Sequence, residues 1–485
     1  MNKLIERKKF NISKIILVLL FSLAIFLRAK VYFVNSSLWL DECSLAMNIL
    51  HNKFFGTLEF GQAAPSGFLL LTKLITIIVG VSEASLRFLP FACSILSVFG
   101  FYYLSTEFLK KSHSVIFATF LFAVNYPLIY FSQEFKQYSS DVLIAILILF
   151  ALSKINIEKL SAKNLLAMSA ILSITLWVSF TSIFICSSAF ILLFFKKFKE
   201  YKKLLALFLP FTLSALGYYS FNMSGNLDYL TNYSLWKEGF IDHDFSNFLY
   251  LLVENINYFF DPNKFALFGI ILILSGIILG LKENKKNVFL LTFPIFALTL
   301  ASYLHAYPFQ QRVVLFLIPI LILLMCKPLD FCSVNKKIIS IIIIAITWLY
   351  FGGYLLPQYY EQIGSKNFFK LTDIRGLTKE FSKMSRQEDI LVLAPSSSSS
   401  FEFYSTIYPV KYSQKFVGQM PEYDKTIFLN ALNSLPKDKH YWFYIAHDVS
   451  HAPVRGFIQE WAKSSYKKVK EYTKGESYLI YAEVE

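Results

Sequence analysis

The sequence predicts a polytopic α-helical membrane protein ending in a small soluble α/β domain. Three observations predict it. The 485-residue chain is 55% hydrophobic and only 16% charged, and its mean hydropathy of +0.49 is too high for a soluble protein of that length. Apolar runs of roughly 16 to 24 residues, enough to cross a hydrocarbon core, recur from Ile15 to Leu356 and then stop. Beyond Leu356 the charges balance, with 17 Lys+Arg against 15 Asp+Glu, so +12 of the formal +14 lies in the apolar part. Two domains follow, residues 1–356 in the membrane and 357–485 outside it.

The basic N-terminus (Lys3, Arg7, Lys8, Lys9, Lys14) leads into the first apolar run without a small-x-small cleavage site before Arg28, and reads as an uncleaved anchor. Eleven spans are expected: Ile15 to Val34, Ala84 to Ser105, Ser114 to Phe131, Tyr138 to Ser153, Leu165 to Val178, Ser179 to Phe195, Leu204 to Phe221, Phe265 to Leu281, Asn287 to Leu304, Val313 to Cys326 and Ile338 to Leu356. The run from Ala64, "APSGFLLLTKLITIIVG", is short and carries Lys73 in its middle. If it does not cross, 21 of the 30 basic residues of the membrane part fall on the inner side; if it does, every later lysine cluster flips outward against the positive-inside bias. It therefore reads as an interfacial or re-entrant helix on the outer face.

This topology puts the N-terminus in the cytoplasm, the C-terminal domain outside it, and nearly every mixed polar cluster on the outer side. The scattered lysine clusters do not form the basic stripe of a nucleic-acid-binding face, so nucleic acid is excluded as a partner. Five cysteines (Cys43, Cys93, Cys186, Cys326, Cys332), mostly in apolar segments and without a CxxC, imply neither a disulfide framework nor zinc.

The outer side carries the chemistry-bearing residues. Asp41 and Glu42 follow the first span in "SSLWLDECSL". Adjacent helical residues point about 100° apart, so the two cannot flank one bond; either one faces a site while the other orients the helix, or both are an acidic helix start. "SQEFKQYSSD" gathers Gln133, Glu134, Lys136, Gln137, Tyr138 and Asp141 at a membrane boundary, where ionisable groups are costly unless paired; they mark function, or else a snorkelling Lys136 paired with Glu134. "LHAYPFQQR" brings His305, Tyr307 and Arg312 to another outer turn, and an arginine there suits a phosphate through its planar fork of donors. "SEASLRFLP" adds Glu83 and Arg87, which equally suit an i,i+4 ion pair. Asp242, His243 and Asp244 have metal-ligand chemistry, but three polar loop residues more commonly face water. No metal site is assigned; no cofactor is certain, and a divalent cation is compatible with the acidic residues.

In order along the chain, "LWLDECSLAMNIL", "GQAAPSGFLLLTKLITIIVGVSEASLRFLP", "FSQEFKQYSSDV" and "YPFQQRVVLFLIP" resemble the integral-membrane glycosyltransferases of the GT-C class, family 39-like, the protein O-mannosyltransferases and the lipid A aminoarabinose transferase. The resemblance implies a GT-C fold of about 11 transmembrane helices plus the outer helix. It implies transfer of a sugar, hexosyl or pentosyl, from a polyprenyl-phosphate donor to a lipid, glycan or protein acceptor on the extracytoplasmic face of the plasma (inner) membrane, with inversion. Asp41 matches the general base and Glu42 the following acid. Arg87, Lys136 and Arg312 would bind the donor phosphate, and Gln62, Gln133, Glu134, Tyr138, His305 and Tyr307 the substrate. Lys136 and Gln137 stand where many relatives have Arg-Pro. A transporter or flippase of lipid-linked sugars is the alternative; it expects broken helices in paired halves and polar residues near the midplane, neither of which the sequence presents.

The C-terminal part alternates helical and strand patterns: a helix in "LTDIRGLTKEFSKM", a strand in "DILVLAP", a helix in "YDKTIFLNALNSL", a strand in "HYWFYIAH", a helix in "VRGFIQEWAKSS" and a strand in "ESYLIYAEV". A small α/β domain results. "PSSSSSFEFY" reads as a strand-to-helix loop, with a phosphate-cradling turn as the less favoured reading, and His447 and Asp448 at a strand end are weak candidates for acceptor contact.

Overall fold

A computed structural model describes residues 2–55, 58, 63–155, 161–197, 200–223, 238–242, 245–260, 266–331, 372–395, 397–418, 425–447 and 454–484. The expected span Ile338 to Leu356 and the candidates Gln62, His243, Asp244 and Asp448 lie outside the described residues. The chain divides into two compact units. The membrane unit comprises Met1–Phe33, Phe54–Thr57 and Ala63–Pro357, and the soluble unit joins Val34–Lys53 and Leu58–Gln62 to Gln358–Glu485.

The membrane unit begins with helix α1 (Asn2–Val34). Helix α2 (Leu40–Leu50) belongs to the soluble unit. Then come α3 (Ser66–Val79), α4 (Glu83–Phe108), α5 (Ser112–Ala123), the short α6 (Tyr126–Tyr130), α7 (Tyr138–Lys154), α8 (Ala162–Val178), α9 (Ser182–Lys197), α10 (Tyr201–Tyr218), α11 (Phe245–Phe260), α12 (Ala266–Glu283), α13 (Lys285–Tyr303) and α14 (Ile318–Cys326). Among the described residues five helical segments are long and apolar enough to cross a membrane, and α5 with the helical turns after it makes a sixth if counted as one bent span. The segment Gln311–Asp330 is the centre of the bundle, since 83% of its apolar window is buried against 28% for Lys14–Val34. Large apolar side chains of α1, α3 and α12, such as Leu19, Ile77 and Leu267, face outward, as lipid contact requires.

Two segments differ from straight spans. The expected span Ser114 to Phe131 breaks with a 53° bend. Asn125 and Pro127 set the break: Pro127 has no N–H with which to continue the preceding helix, while Asn125 Oδ1 accepts the Leu128 N–H at 3.3 Å to start a new one and its Nδ2 donates to Phe259 O at 2.8 Å. The expected span Val313 to Cys326 starts with a 3-10 segment, Gln311–Leu317, in which Val314 is non-helical. Helix α3 has 14 residues, about 21 Å long, short of the roughly 30 Å hydrocarbon core.

Helices in lipid gain little from burying apolar surface, so they associate through close packing and polar contacts. The described structure shows both. Gly269, Gly276 and Gly280 line the buried face of α12, and a methyl group on Gly276 would overlap the Leu324 carbonyl of α14. At the C-terminal end of α4, Glu283 takes Lys110 at 2.7 Å and Lys327 at 2.9 Å. Lys327 also donates to Asp330 at 3.1 Å and to Phe108 O at 2.8 Å, and Asp330 accepts the backbone N–H groups of Lys110 and Lys111.

The soluble unit is built on a five-stranded sheet of order β2-β1-β3-β5-β4, with β1 (Ile390–Leu393), β2 (Gln414–Val417), β3 (Tyr441–Ile445), β4 (Lys468–Lys474) and β5 (Ser477–Glu483). β1 runs parallel to β2 and β3, and β5 antiparallel to β3 and β4. β1 and β3 are buried throughout, so both their faces are covered. Helices α17 (Lys425–Asn433) and α18 (Arg455–Ser465) pack Phe428, Ile458 and Trp461 against Val392, Tyr441 and Phe443. On the other face Phe381 of α15 (Ile374–Met384) and Phe401 of α16 (Ser398–Ile407) meet Tyr444. The serine run lies in the connection from β1 to α16, as expected, but its end, Ser398–Ser400, forms the first turn of α16. Ser397 Oγ accepts the Ala446 N–H at 3.0 Å, tying the run to the end of β3.

Helix α2 packs on α16. The chain leading into it is pinned at three points: Arg375 Nη2 donates to Asn35 O at 2.9 Å, Ser37 Oγ donates to Asp373 Oδ1 at 3.0 Å, and the Leu38 N–H donates to Tyr404 Oη at 2.7 Å.

Gly276→Ala should wedge α12 from α14 and cost ~1–3 kcal/mol, lowering the apparent melting temperature in detergent. Gly217→Ala, where no atom lies within 4 Å of the added methyl, should leave it unchanged or raise it. Equal melting of the two variants would disprove the close approach.

Candidate active site

Helix α2 starts immediately after Trp39, with Asp41 and Glu42 in its first turn, where the helix dipole favours negative charge. The two acids are not equivalent. Glu42 is fully buried, and its Oε2 accepts the Trp39 N–H at 2.8 Å, the reaching-back half of a capping box. Asp41 points elsewhere and retains 9% exposure. Its charge acts on His447, at the end of β3.

His447 is 4% exposed and meets the Trp39 ring edge-on at a centroid distance of 4.4 Å. Its Nε2 lies 3.4 Å from Ser400 Oγ, and its Nδ1 has no hydrogen-bond partner among the described residues. Burial pushes the imidazole pKa down to about 4, against the opposing pull of Asp41, so the ring is neutral at physiological pH. Asp41, Trp39, Ser400 and His447 thus form one cluster inside the soluble unit.

The membrane unit holds a second cluster, where α6 and its 3-10 extension turn into α7. Every residue from Phe131 to Val142 is buried. The turn is tight, with Lys136 N–H donating to Glu134 O at 2.7 Å, and Phe135 inserts against Phe68 of α3 at 5.7 Å. Gln133, Glu134, Lys136 and Tyr138 are therefore brought together in low dielectric. Both amide atoms of Gln133, Oε1 of Gln137 and Oδ1 of Asp141 have no partner among the described residues. Asp141 shares a hydrogen bond with Ser179 and its charge reaches Tyr218 and Tyr307. Sequence reasoning noticed Gln137 and Asp141 without assigning them a role, and passed over Ser179 and Tyr218, which come from other helices and carry no local signal.

Arg87 is 1% exposed and Glu83 6%, one turn apart on α4. Ser82 and Ser85 exchange capping bonds at 2.9 and 3.1 Å and start that helix. Tyr307 Oη donates to Val313 O at 3.0 Å. Arg312 is half-buried in the 3-10 segment, whose entry is held by Gln311 N–H donating to Asn255 Oδ1 at 2.6 Å and Asn255 Nδ2 donating to Phe309 O at 2.9 Å. His305 lies apart from this buried set: its side chain is 51% exposed, 3.9 Å from Asp242 and stacked on Phe240. Among the described residues no three His, Cys, Asp or Glu side chains could hold a metal ion.

A neutral buried histidine has a definite pH signature. Its folded pKa of about 4 lies below the ordinary 6.5, so the unfolded chain binds the proton more readily. Stability from this group is complete above pH 6.5 and is lost as pH falls towards 4, with a slope of at most ~1.4 kcal/mol per pH unit. His447→Gln, which does not titrate, should flatten the melting-temperature profile between pH 4 and 6.5 relative to wild type; parallel profiles would show that His447 is not buried neutral.

No family model matches the chain, and no curated protein matches it. Solved structures do. ArnT from Cupriavidus metallidurans bound to undecaprenyl phosphate superposes with a TM-score of 0.60 at 10% identity, covering 96% of this chain and 98% of that one. The archaeal oligosaccharyltransferase AglB from Archaeoglobus fulgidus, in complex with an inhibitory peptide and a dolichol-phosphate, gives 0.54 at 11% identity over 96% of this chain and 74% of that one. Both are GT-C glycosyltransferases. At such identities the likeness is one of fold, and it spans both units: the chain has the GT-C fold, a multi-pass helical membrane domain with a small C-terminal sheet domain.

Proposed function

We propose that this protein is a polyprenyl-phosphate-sugar-dependent glycosyltransferase, with Asp41 as general base. The observation that carries the reading is the inequality of the two acids of α2. Glu42 is committed to its own helix, while Asp41 sits at the same helix start beside a polar cluster. The fold supports the reaction class, and Arg87, Lys136 and Arg312 of the membrane unit carry the positive charge that a phosphate ligand calls for.

In the reaction the acceptor hydroxyl gives its proton to an Asp41 carboxylate oxygen while its oxygen attacks the anomeric carbon. The bond from that carbon to the phosphate oxygen breaks on the opposite face, inverting the centre, and polyprenyl phosphate leaves with the electron pair. The leaving group needs positive charge and no proton, which Arg87, Lys136 and Arg312 supply. Gln133, Glu134, Tyr138 and Tyr307 contact the donor sugar, with Gln62 and His305 as further substrate contacts. Asp41 then loses its proton to water. The soluble unit lies on the extracytoplasmic side of the plasma membrane, the side where such a donor presents its sugar, with the N-terminus in the cytoplasm.

Purified protein supplied with a panel of polyprenyl-phosphate sugars should transfer sugar. Asp41→Asn should reduce the rate by ~10²–10⁴, and Lys136→Gln should raise the donor KM and lower kcat. Absence of transfer from every donor, or full activity of Asp41→Asn, would sink the assignment. Glu42→Gln keeps the capping acceptor and should retain much of the activity.

A further inference from the structure

We infer that Trp39, Asp41 and His447 form an acceptor subsite for a saccharide, so that the sugar is transferred to a hydroxyl of a glycan. The inference rests on Asp41 being the base and goes beyond it in naming the acceptor class. The three residues come from two distant parts of the chain and meet within the soluble unit, through the start of α2 and the end of β3. Trp39 is half-buried and its ring lies against His447; an indole is a surface on which the C–H face of a sugar ring can lie.

His447 supplies the second argument. Its Nδ1 is a buried polar atom without a partner among the described residues, and such atoms are normally satisfied in the working state. Ser400 Oγ at 3.4 Å occupies Nε2 and can act as donor or acceptor there, so Nδ1 can be a lone pair or an N–H. A hydroxyl satisfies either form. A phosphate would require the N–H and would meet the Asp41 carboxylate with like charge; an ammonium could use the lone pair but not the N–H, so a hydroxyl is the group that suits both tautomers. One hydroxyl on Asp41 and a neighbouring one on Nδ1, with an apolar face on Trp39, is the pattern of a pyranose or furanose ring. A serine or threonine side chain offers a single hydroxyl and no such face.

The chemistry is unchanged at the donor. The hydroxyl on Asp41 loses its proton to the carboxylate and forms the new glycosidic bond, while the hydroxyl on Nδ1 keeps its proton and only orients the ring. His447 is therefore a substrate-binding residue.

The test uses full-length protein in nanodiscs, labelled with 15N-histidine and saturated with undecaprenyl phosphate. The His447 resonance is assigned by its absence in His447→Gln. Mannotriose, maltotriose and cellotriose are titrated in, with a Ser/Thr-rich peptide in parallel. A saccharide should shift that resonance, weakly or not at all in Trp39→Ala, and the peptide should leave it in place. A shift by the peptide alone, or by no probe, overturns the inference. Where transfer is measurable, His447→Phe should raise the saccharide KM about tenfold with donor KM unchanged, and His447→Gln, whose amide also donates and accepts, should recover part of it. An unaltered acceptor KM in His447→Phe and Trp39→Ala, with Asp41→Asn inactive, removes the subsite and leaves the transferase standing. Failure of all transfer removes the transferase reading and leaves the resonance shift to decide saccharide binding.

Discussion

The position of Asp41 depends on a few hydrogen bonds to the four residues before Trp39. Asn35, with φ 47°, turns the chain out of α1, and Arg375, Asp373 and Tyr404 of the soluble unit then hold Asn35, Ser37 and Leu38. These partners are themselves fixed: Asp373 caps α15 by accepting the Gly376 N–H at 3.0 Å, and Thr378 and Tyr444 share a bond at 2.7 Å beneath it. The carboxylate is thus carried by a helix whose entry is bonded at successive residues, a more exact support than a free loop between two spans. It also explains why Glu42 is buried without being spare: a helix that starts at a tryptophan has no side-chain N-cap, and the acid three residues on takes over part of that work.

The membrane unit solves a different problem. It must keep Arg87, Glu134, Lys136 and Asp141 nearly out of water, which is tolerable in a bundle only where the groups have ligands, partners or water. At the other end of α4 the problem is solved by mutual pairing, with Glu283 and Asp330 consuming Lys110 and Lys327. The turn before α7 carries hydrogen-bonding atoms of Gln133, Gln137 and Asp141 that have no partner among the described residues.

Much of this was legible in the sequence because its signals are local. Apolar run length marked α1, α4, α5, α7 to α10 and α12 to α14 but missed α11 (Phe245–Phe260), which no expected span covers, and alternating patterns marked β1, β3 and β5 with α15, α17 and α18. What escaped depends on contacts distant in sequence. The bend at Asn125 is backed by the Phe259 carbonyl, but its local signal, an Asn N-cap followed by Pro127, was passed over inside an apolar run. The serine run looks flexible by composition, but Ser397 and Ser400 are buried by their bonds to Ala446 and His447, so a polar stretch becomes a helix start. The edge strands β2 and β4 were missed because their lysines and exposed positions interrupt the apolar pattern. Above all, residues 34–53 look like a membrane loop, and only their partners more than 300 residues away make them part of the soluble unit.

That membership bears on how the reaction divides its labour. On the proposed mechanism the donor is a lipid, whose phosphate and chain call for cations among apolar helices, and these are Arg87, Lys136 and Arg312 of the membrane unit. The acceptor has to leave with an extra sugar and be replaced at each turnover, which suits residues of the soluble unit. The base belongs with the acceptor, because the proton it removes is the acceptor's. Asp41 on α2, beside Trp39 and His447, satisfies that requirement through its own fold partners. Charge neutralisation of the leaving phosphate and activation of the incoming hydroxyl are then tasks of two separately stabilised clusters. On that mechanism a change of acceptor can evolve around His447 without disturbing the cations proposed to hold the donor.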